Sequence, residues 1–530
     1  MSISVWTVWL VACFSACCMA SSSSAAAAQI LYRGNDGDPE TLDHHGTSVI
    51  SESRLMDDLY SGLVDFSASA TVAPGTAERW DISEDGLTYT FYLRENAAWS
   101  NGDPVTAQDF VFSYRRLMNP ATNAKYATIL YPIKNAEKVN TGALEPAALG
   151  VRAIDARTLE ITLEQPTPYF LDQLTHQTGK PLHQASVEAL GDQFVKPGNM
   201  VTNGAYVLAE FVLNDRIVMR KNDYFYDADN VAIEEVHYIP FEDRATCVRA
   251  WEAEEVHVCS DLPAQDLQRL ARYGDALKVE PYLGTYFYAF DTTDEILSDP
   301  EVRRAMSMVV DREFLADEIW PGMIPAASLV PVGINNYPGG SPVTDYFGMS
   351  MLDREDEAAA IMARKGVTKK NPITIEFMYN SGENHKNTAT AIADMWSHIG
   401  INVTYKIRDV AAHYAYLRDR GKMQVARAGW IGDYSDPHNF LFLLESHNTG
   451  FNYAKYENPD YDAIMARAAN ELDLVKRADI LREAERIVMR DTPFLTIFYY
   501  SSFGLVSPKI RGWESNVMNK NLTRYLTLDD

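Results

Sequence analysis

Residues 99–110 read Trp-Ser-Asn-Gly-Asp-Pro-Val-Thr-Ala-Gln-Asp-Phe, and this stretch leads from a predicted strand into a predicted helix. The strand before it is Thr88 to Leu93, which is rich in β-branched and aromatic residues. The apolar run from Phe110 to Leu117 follows it, and Thr106 with Asp109 forms a capping pattern at its start. The stretch therefore predicts a strand, a connecting loop and a helix in succession.

The same alternation of strand and helix patterns continues along the chain. Arg157 to Leu163, Thr285 to Phe290 and Pro493 to Tyr500 read as strands, and Asp299-Pro300 reads as a helix start. Such alternation predicts an α/β protein. At 530 residues the chain is too long for one core, so we expect two or three domains. Internal repeats and low-complexity linkers are missing, so composition alone sets no domain boundary.

The charge balance restricts the classes of partner. The chain carries 73 acidic and 47 basic residues, a formal net charge of −26, which disfavours nucleic acid and anionic membrane surfaces as partners. The hydrophobic fraction of 46% and the charged fraction of 23% are ordinary for a soluble globular protein.

Residues 1–28 have the character of an export signal. No charged residue precedes Arg33, the run from Val5 to Met19 is apolar with small residues, and Ala26-Ala27-Ala28 suits cleavage before Gln29. Leu10-Val11-Ala12-Cys13 also resembles a bacterial lipoprotein box, so lipidation at Cys13 stays an alternative to soluble secretion. Serines interrupt the apolar run, which disfavours a permanent membrane anchor.

Two cysteines remain beyond the predicted signal, Cys247 and Cys259. In an exported chain such a pair indicates one disulfide more often than a metal or redox site. Thr246 to Glu255 reads as a helix and Val256 to Cys259 as the strand after it. A strand running back along that helix would bring the two cysteines together.

Sequence motifs of enzymes and metal sites are missing. The eleven histidines show no HExxH spacing and no zinc-type Cys/His cluster, and neither a GxxxxGK loop nor a GxSxG turn occurs. We therefore expect no catalytic activity, no metal and no cofactor.

Residues 426–437, Ala-Arg-Ala-Gly-Trp-Ile-Gly-Asp-Tyr-Ser-Asp-Pro, set Arg427 and Asp433 six positions apart in a glycine-broken segment. A cation and an anion so placed can bind the two ends of a small zwitterion. On composition alone they can equally decorate a solvated loop.

Several blocks resemble, in order, the periplasmic oligopeptide-binding proteins, which belong to solute-binding protein family 5 and are the receptors of peptide ABC importers. These blocks are residues 74–80, 99–110, 197–206, 281–290 and 426–437, and residues 99–110 are the most recognisable of them. The resemblance covers almost the whole chain after residue 30.

The resemblance implies a two-lobed periplasmic-binding-protein type II fold with an extra inserted domain. Domain I would comprise residues 29–60, 186–285 and 505–530, domain II residues 61–185, and domain III residues 286–504. Strands crossing between the lobes would form a hinge, with the ligand bound between the lobes. The protein would be periplasmic and monomeric, with short peptides and an inner-membrane ABC permease as partners.

The resemblance also assigns roles to residues at the two ends of a bound peptide. Asp433 falls where the family places the acid that binds the peptide α-ammonium, which needs a charged partner once it is desolvated. Arg427 matches an arginine that binds the carboxylate of short peptides, a task that suits its planar fork. His385 matches a histidine at the same end, although a structural role is equally open.

Further positions complete the implied ligand-binding set. Tyr126 matches an aromatic residue that packs on the bound chain from the inserted domain. Trp430 would line a side-chain pocket, with a core role as the alternative. The set also includes Gly429 and, in the first loop, Ser48 and Ile50.

The chain departs from the pattern of close relatives. Ser48 replaces an acid, Val410 or Ala411 replaces a pocket tryptophan, and one residue is inserted near His413. These changes affect side-chain preference and leave open a murein peptide, an opine, a nickel complex or an oligosaccharide as the solute. A lipid-anchored adhesin-like or signalling role and a peptidase are the remaining alternatives.

Overall fold

The computed structural model describes residues 29–529, so the predicted signal at residues 1–28 and the candidate lipidation site Cys13 lie outside the described residues. Its strands are β1 (Ile30–Asn35), β2 (Val64–Phe66), β3 (Val72–Pro74), β4 (Ala77–Ile82), β5 (Thr88–Leu93), β6 (Val151–Ala153), β7 (Thr158–Thr162), β8 (Tyr206–Val212), β9 (Arg216–Lys221), β10 (Glu235–Pro240), β11 (Val258–Ser260), β12 (Leu277–Phe290), β13 (Ile324–Pro325), β14 (Ile373–Asn380), β15 (Ile401–Arg408), β16 (Val425–Ile431), β17 (Phe494–Val506), β18 (Ile510–Arg511) and β19 (Thr527–Leu528).

The α-helices alternate with these strands, which confirms the predicted α/β class. They are α1 (Ile50–Leu59), α2 (Ala107–Met118), α3 (Ala136–Asn140), α4 (Phe170–Leu174), α5 (Gln184–Leu190), α6 (Arg244–Glu252), α7 (Leu267–Leu270), α8 (Pro300–Met308), α9 (Arg312–Phe314), α10 (Met351–Arg364), α11 (Glu383–Ser397), α12 (Val410–Arg418), α13 (His438–Leu441), α14 (Pro459–Asn470) and α15 (Leu474–Asp491). No helix in residues 29–529 is both long enough and apolar enough to cross a membrane.

One 11-stranded sheet runs through most of the molecule. Its order is β15-β14-β16-β12-β17-β11-β1-β10-β9-β8, and β13 pairs with β17 off this path. Parallel and antiparallel pairs are mixed: β1 is parallel to β10, whereas β12 is antiparallel to both β16 and β17.

The two strands at the centre of this sheet are much longer than the sequence pattern indicates. β12 has 14 residues and begins eight residues before the predicted start at Thr285, and β17 has 13. Pairing between them is interrupted between Pro281 and Thr285, since proline lacks an amide hydrogen and Gly284 has no side chain to pack. A β-carbon at Gly284 would lie 2.7 Å from the ring of Tyr500. β12 and β17 each cross a predicted domain boundary, at residues 285/286 and 504/505, and the boundaries themselves stay predictions.

A separate four-stranded sheet, β4-β5-β7-β6, lies wholly within residues 61–185. Helix α2 follows strand β5 of this sheet and begins after Thr106. The backbone N–H of Thr106 donates to the Asp109 carboxylate at 2.8 Å, as the capping pattern indicates. Trp99 and Phe110, both in the 99–110 stretch, are fully buried. The stretch thus forms the predicted connection and fixes α2 to its sheet through core packing.

The two cysteines lie on α6 and β11, and the structure joins Cys247 to Cys259 as a disulfide with an S–S distance of 2.06 Å. The helix begins at Arg244 rather than Thr246 because Asp243 caps it, accepting from the Ala245 amide. The strand starts at Val258, two residues later than the pattern predicts.

Candidate ligand-binding cleft

A cavity of about 310 Å³ opens where distant parts of the chain meet. Its walls come from the loop before α1, from the segment after β16 and from the C-terminal segment at residues 518–520. A larger region of about 610 Å³ shares Ile50, Tyr282, Ile431 and Asn519 with it. The two spaces therefore form one continuous cleft along the central strands β12, β16 and β17.

Asp433 lies in this cavity just beyond the end of β16. Gly432 anchors the turn through its amide, which donates to the carbonyl of Leu283 at 2.8 Å. Desolvation raises the pKa of the Asp433 carboxyl to about 6. Among residues 29–529, no basic side-chain nitrogen lies within 4.0 Å of this carboxylate. It is a partly buried acid without an ion-pair partner in the described part of the chain.

Asp436, three residues further on, shows the opposite arrangement. Its carboxylate is fully buried and accepts two hydrogen bonds from Arg477, at 2.7 and 2.9 Å. Asp436 thus has a structural ion pair, whereas Asp433 leaves its charge available to a ligand.

Arg427 lies further along β16 in a cage of tyrosines. Its guanidinium donates to the hydroxyl of Tyr414 at 2.7 Å and to Asn380 Oδ1 at 3.1 Å, and it lies 4.6 Å from the ring centroid of Tyr286. The residue is 8% exposed, and no carboxylate of the described part of the chain lies within 4.0 Å of it. Burial without a counter-ion is costly for a guanidinium. The cage therefore offers a site for an anion.

His385 and Gly429 adjoin this guanidinium. His385 Nδ1 lies 3.0 Å from the Tyr286 hydroxyl, and burial, reinforced by the charge of Arg427, lowers the pKa of His385 to about 4. The imidazole is thus neutral at pH 7. A β-carbon at Gly429 would lie 2.9 Å from the Tyr500 hydroxyl, so glycine permits the close approach of that tyrosine.

Trp430 faces the other side of the sheet. Successive side chains on a strand point to opposite faces, so Trp430 points away from Arg427 and Gly429. Its indole N–H donates to Asn439 Oδ1 at 3.0 Å, and its ring packs against Phe442 and Phe451. Trp430 is not among the residues that line the Asp433 cavity.

Ser48, Ile50 and Tyr126 lie on the cavity wall with Asp433. The Glu52 carboxylate accepts a hydrogen bond from the Ser48 amide at 2.7 Å and so fixes the loop before α1. Ile50, the first residue of that helix, is 47% exposed. Tyr126 is held 5.4 Å from the ring of His176. Its pKa is raised by burial and then by the charge of Asp433, which reflects their proximity.

The predicted site residues thus fall into three groups. Asp433, Ser48, Ile50 and Tyr126 share one cavity, Arg427, His385 and Gly429 share the tyrosine cage, and Trp430 packs in a core. Sequence reasoning did not find Tyr282 and Lys520 on the cavity wall or the three tyrosines of the cage, Tyr286, Tyr414 and Tyr500. The aromatic pattern of β12 was visible, but only pairing with β16 and β17 brings Tyr286 and Tyr500 to Arg427, and Tyr414 reaches it from α12.

Metal ligation has no support at this cleft or elsewhere in residues 29–529, where no three His, Cys, Asp or Glu side chains are grouped closely enough to hold an ion.

Two bacterial periplasmic binding proteins are similar in sequence to this chain. The periplasmic oligopeptide-binding protein OppA of Escherichia coli is 34% identical over 493 residues, covering 92% of this chain and 90% of its own length. The periplasmic murein peptide-binding protein MppA of Escherichia coli is 33% identical over 494 residues, covering 92% and 91%.

Solved structures share the fold. An unliganded open form of the murein tripeptide-binding protein MppA matches with a TM-score of 0.88 at 31% identity, covering 95% of this chain and 98% of its own. Haemophilus influenzae OppA in complex with the peptide RPPGFSPFR matches with a TM-score of 0.71 at 33% identity, covering 95% and 99%. These likenesses confirm the predicted two-lobed periplasmic-binding-protein fold.

The TM-scores also describe the arrangement of the lobes. A second structure, of Escherichia coli MppA, matches at 0.72, although its identity is again 31%. The overall shape of this chain is therefore more similar to the unliganded open form than to that second structure. Residues 71–452 match the model of the bacterial extracellular solute-binding proteins, family 5 Middle, and with the relatives above this shows that the chain belongs to solute-binding protein family 5.

Proposed function

We propose that this chain is a periplasmic receptor that captures short peptides between its lobes and delivers them to an inner-membrane ABC permease. The observation that carries the proposal is a pair of uncompensated charges, one in the Asp433 cavity and one in the tyrosine cage of Arg427. Asp433 is a desolvated carboxylate without a basic partner, and Arg427 is a buried guanidinium without a carboxylate. A zwitterionic ligand satisfies both.

The spacing of the two charges supports a short extended peptide. Arg427 and Asp433 are six positions apart along β16 and the turn after it, a distance of at most about 20 Å. An extended peptide advances about 3.3 Å per residue, so a ligand of roughly three to five residues fits once the long arginine side chain is counted. In this arrangement the α-ammonium pairs with Asp433, and the terminal carboxylate binds Arg427 with His385 beside it.

Hinge closure would complete the site. The open arrangement leaves the cleft accessible, and a ligand that contacts both lobes shifts the balance toward a closed form in proportion to those extra contacts. β12 and β17 are the strands that cross between the predicted lobes, so we place the hinge there. Peptide backbone paired with strand edges would supply affinity without reading the sequence of the peptide.

The proposed receptor is monomeric and performs no chemistry on its ligand. Its relatives are named as binding proteins, and the charges of the cleft are arranged for the two ends of a ligand. Incubation of peptides with the purified protein, followed by mass spectrometry, should return them uncleaved. Cleavage products would favour a peptidase instead.

Calorimetry tests the proposal. Protein unfolded and refolded free of carried-over ligand should bind Ala-Ala-Ala-Ala tightly, and N-acetylation should weaken binding about 100-fold, because it removes the charge that Asp433 compensates. Small-angle scattering should show a smaller radius of gyration on binding. Equal affinity for free and acetylated peptides would favour a solute of another class, such as an opine or an oligosaccharide.

The role of Arg427 is tested at the other end of the peptide. Amidation of the C-terminus of a tripeptide should weaken binding to the wild type at least tenfold, because the neutral amide cannot pair with the guanidinium. In the Arg427→Met variant, the free acid and the amide should bind equally. A variant that still prefers the free acid would remove Arg427 from the carboxylate site.

A further inference from the structure

Two lysines share one aspartate beside the Asp433 cavity. Asp57 accepts from Lys180 at 2.8 Å through one carboxylate oxygen and from Lys520 at 2.5 Å through the other. The two ammonium groups together hold the pKa of Asp57 down at about 2, against the effect of burial. Two cations therefore face a single carboxylate.

The neighbouring charges do not supply the missing anion. Arg54 is paired with Asp261 at 2.6 Å. Asp58, next to Asp57, accepts a hydrogen bond from the Thr523 hydroxyl at 2.7 Å, and that hydroxyl accepts one from Arg33 at 3.0 Å. The negative charge of Asp58 and the positive charge of Arg33 therefore offset each other. The two lysines and Asp57 thus leave one positive charge in excess.

The excess charge lies at the cavity wall on the Lys520 side. Lys180 is 2% exposed and its ammonium also donates to the carbonyl of Met56. The Lys520 ammonium donates to Ser53 Oγ at 2.7 Å and lies 5.7 Å from the ring centroid of Phe66, and Ser53, Phe66 and Lys520 all line the cavity that contains Asp433. An ammonium has three hydrogens, and residues 29–529 supply acceptors for two of those on Lys520.

The remaining basic group on the same wall carries no charge at neutral pH. His176 lines the cavity, and burial, with Lys520 as the largest charge effect, lowers its pKa to about 3. Lys520 is therefore the one cation among the described cavity residues that shares its counter-ion, because Asp57 also pairs with Lys180. Burial lowers the pKa of Lys520, and the charges of Lys180 and Arg54 add to this effect, which Asp57 opposes.

We propose that Lys520, with Ser53 beside it, forms an anion subsite in the Asp433 cavity that selects ligands with a carboxylate next to their terminal ammonium. The inference rests on the proposed binding of a peptide α-ammonium by Asp433. The ligands selected are peptides whose first residue is Asp or Glu, or peptide-like compounds with an equivalent carboxylate.

The dimensions of the cavity suit such a ligand. A volume of 310 Å³ corresponds to a space about 8 Å across, enough for one side chain. Within a glutamate residue, the α-nitrogen and the side-chain carboxylate are roughly 5 Å apart by standard bond lengths. One residue can thus place its ammonium at Asp433 and its carboxylate toward Lys520.

Calorimetry with four tetrapeptides tests the proposal. Asp-Ala-Ala-Ala, Glu-Ala-Ala-Ala, the isosteric Asn-Ala-Ala-Ala and Lys-Ala-Ala-Ala are compared at 50 mM salt with the refolded wild type. We expect at least one acidic peptide to bind about tenfold more tightly than the Asn peptide, and the Lys peptide to bind most weakly. Equal affinities, or tightest binding of the Lys peptide, overturn the anion subsite.

Variants assign the effect to Lys520. In Lys520→Met the preference for the acidic peptide over the Asn peptide should fall to within twofold, while Lys520→Arg should retain it. Circular dichroism and thermal melting check that both variants fold, which we expect because Asp57 keeps Lys180 as its partner. A Lys520→Met variant that keeps the tenfold preference overturns the assignment.

The outcomes separate this inference from the function it rests on. Wild type that binds all four peptides alike retains the peptide-receptor function and loses only the anion subsite. Wild type that binds none of them overturns both.

Discussion

Peptide affinity should fall about tenfold when the pH is lowered from 7 to 5. In the ligand-free protein, desolvation raises the pKa of Asp433 to about 6. Only the ionised carboxylate pairs with an ammonium, so binding reaches full strength about one pH unit above 6 and weakens as the pH falls through 6.

The magnitude follows from the fraction of Asp433 that must first lose a proton. The apparent Kd is multiplied by 1 + 10^(pKa − pH), which is about 1.1 at pH 7 and about 11 at pH 5 for a pKa of about 6. The difference is about tenfold, or 1.4 kcal/mol. The α-amino group of the peptide has a pKa of about 8, so affinity should also fall above pH 8 and give a bell-shaped profile.

Histidines of the cleft do not account for this change. The pKa of His385 is about 4 and that of His176 about 3, both lowered mainly by burial, so both stay neutral between pH 5 and 7. The acid limb of the profile therefore reports on Asp433.

The assay is calorimetric titration of Ala-Ala-Ala-Ala from pH 4.5 to 9, repeated in buffers with different ionisation enthalpies. At pH 5 binding should release close to one proton per peptide, and at pH 7 far less. The Asp433→Asn variant should bind weakly with a constant Kd between pH 5 and 7. A flat wild-type profile, or a slope that persists in the variant, would refute the reasoning.

Three predictions concern stability. At pH 8 the Asp433→Asn variant, free of ligand, should be more stable than the wild type by about 1–3 kcal/mol in urea denaturation, because the ionised carboxylate is desolvated and unpaired; a less stable variant would contradict this. The Asp436→Asn variant should instead lose about 3–5 kcal/mol of its free energy of unfolding, since the change leaves Arg477 buried without its counter-ion. An unchanged unfolding midpoint would show that the ion pair does not stabilise the fold. Replacing both Cys247 and Cys259 by serine should lower the free energy of unfolding by about 3 kcal/mol because the disulfide closes a short loop. Reduction with dithiothreitol should lower the unfolding midpoint of the wild type to that of the variant and leave the variant unaffected.

Local signals in the sequence predicted much of the fold. The capping pattern at Thr106 predicted the start of α2, and Asp299-Pro300 predicted that of α8, because caps and proline act within one helical turn. The sequence pattern did not predict the full lengths of β12 and β17. In β12 the residues before Thr285 include Pro281 and Gly284. These residues disfavour a strand locally, and their pairing, Pro281 with Ser501 of β17 and Gly284 with Ile431 of β16, is set by the tertiary fold.

The candidate site was predictable where the sequence signal lies within one segment. Asp433 was singled out from its own motif, and the alternation of side chains along β16 would have indicated that Trp430 faces away from Arg427. Lys520 could not be found this way, because its partner Asp57 is 463 residues distant in sequence. Such a pair is set by the tertiary fold and carries no sequence pattern.

A double-mutant cycle tests the central claim, that Asp433 compensates the α-ammonium of a bound peptide. The affinities of Ala-Ala-Ala-Ala and its N-acetylated form are measured for the wild type and for Asp433→Asn at pH 7. Acetylation should weaken binding about 100-fold in the wild type and less than threefold in the variant, a coupling energy of about 2–3 kcal/mol. The same loss on acetylation in both proteins would show that Asp433 does not contact the ammonium and would contradict the account.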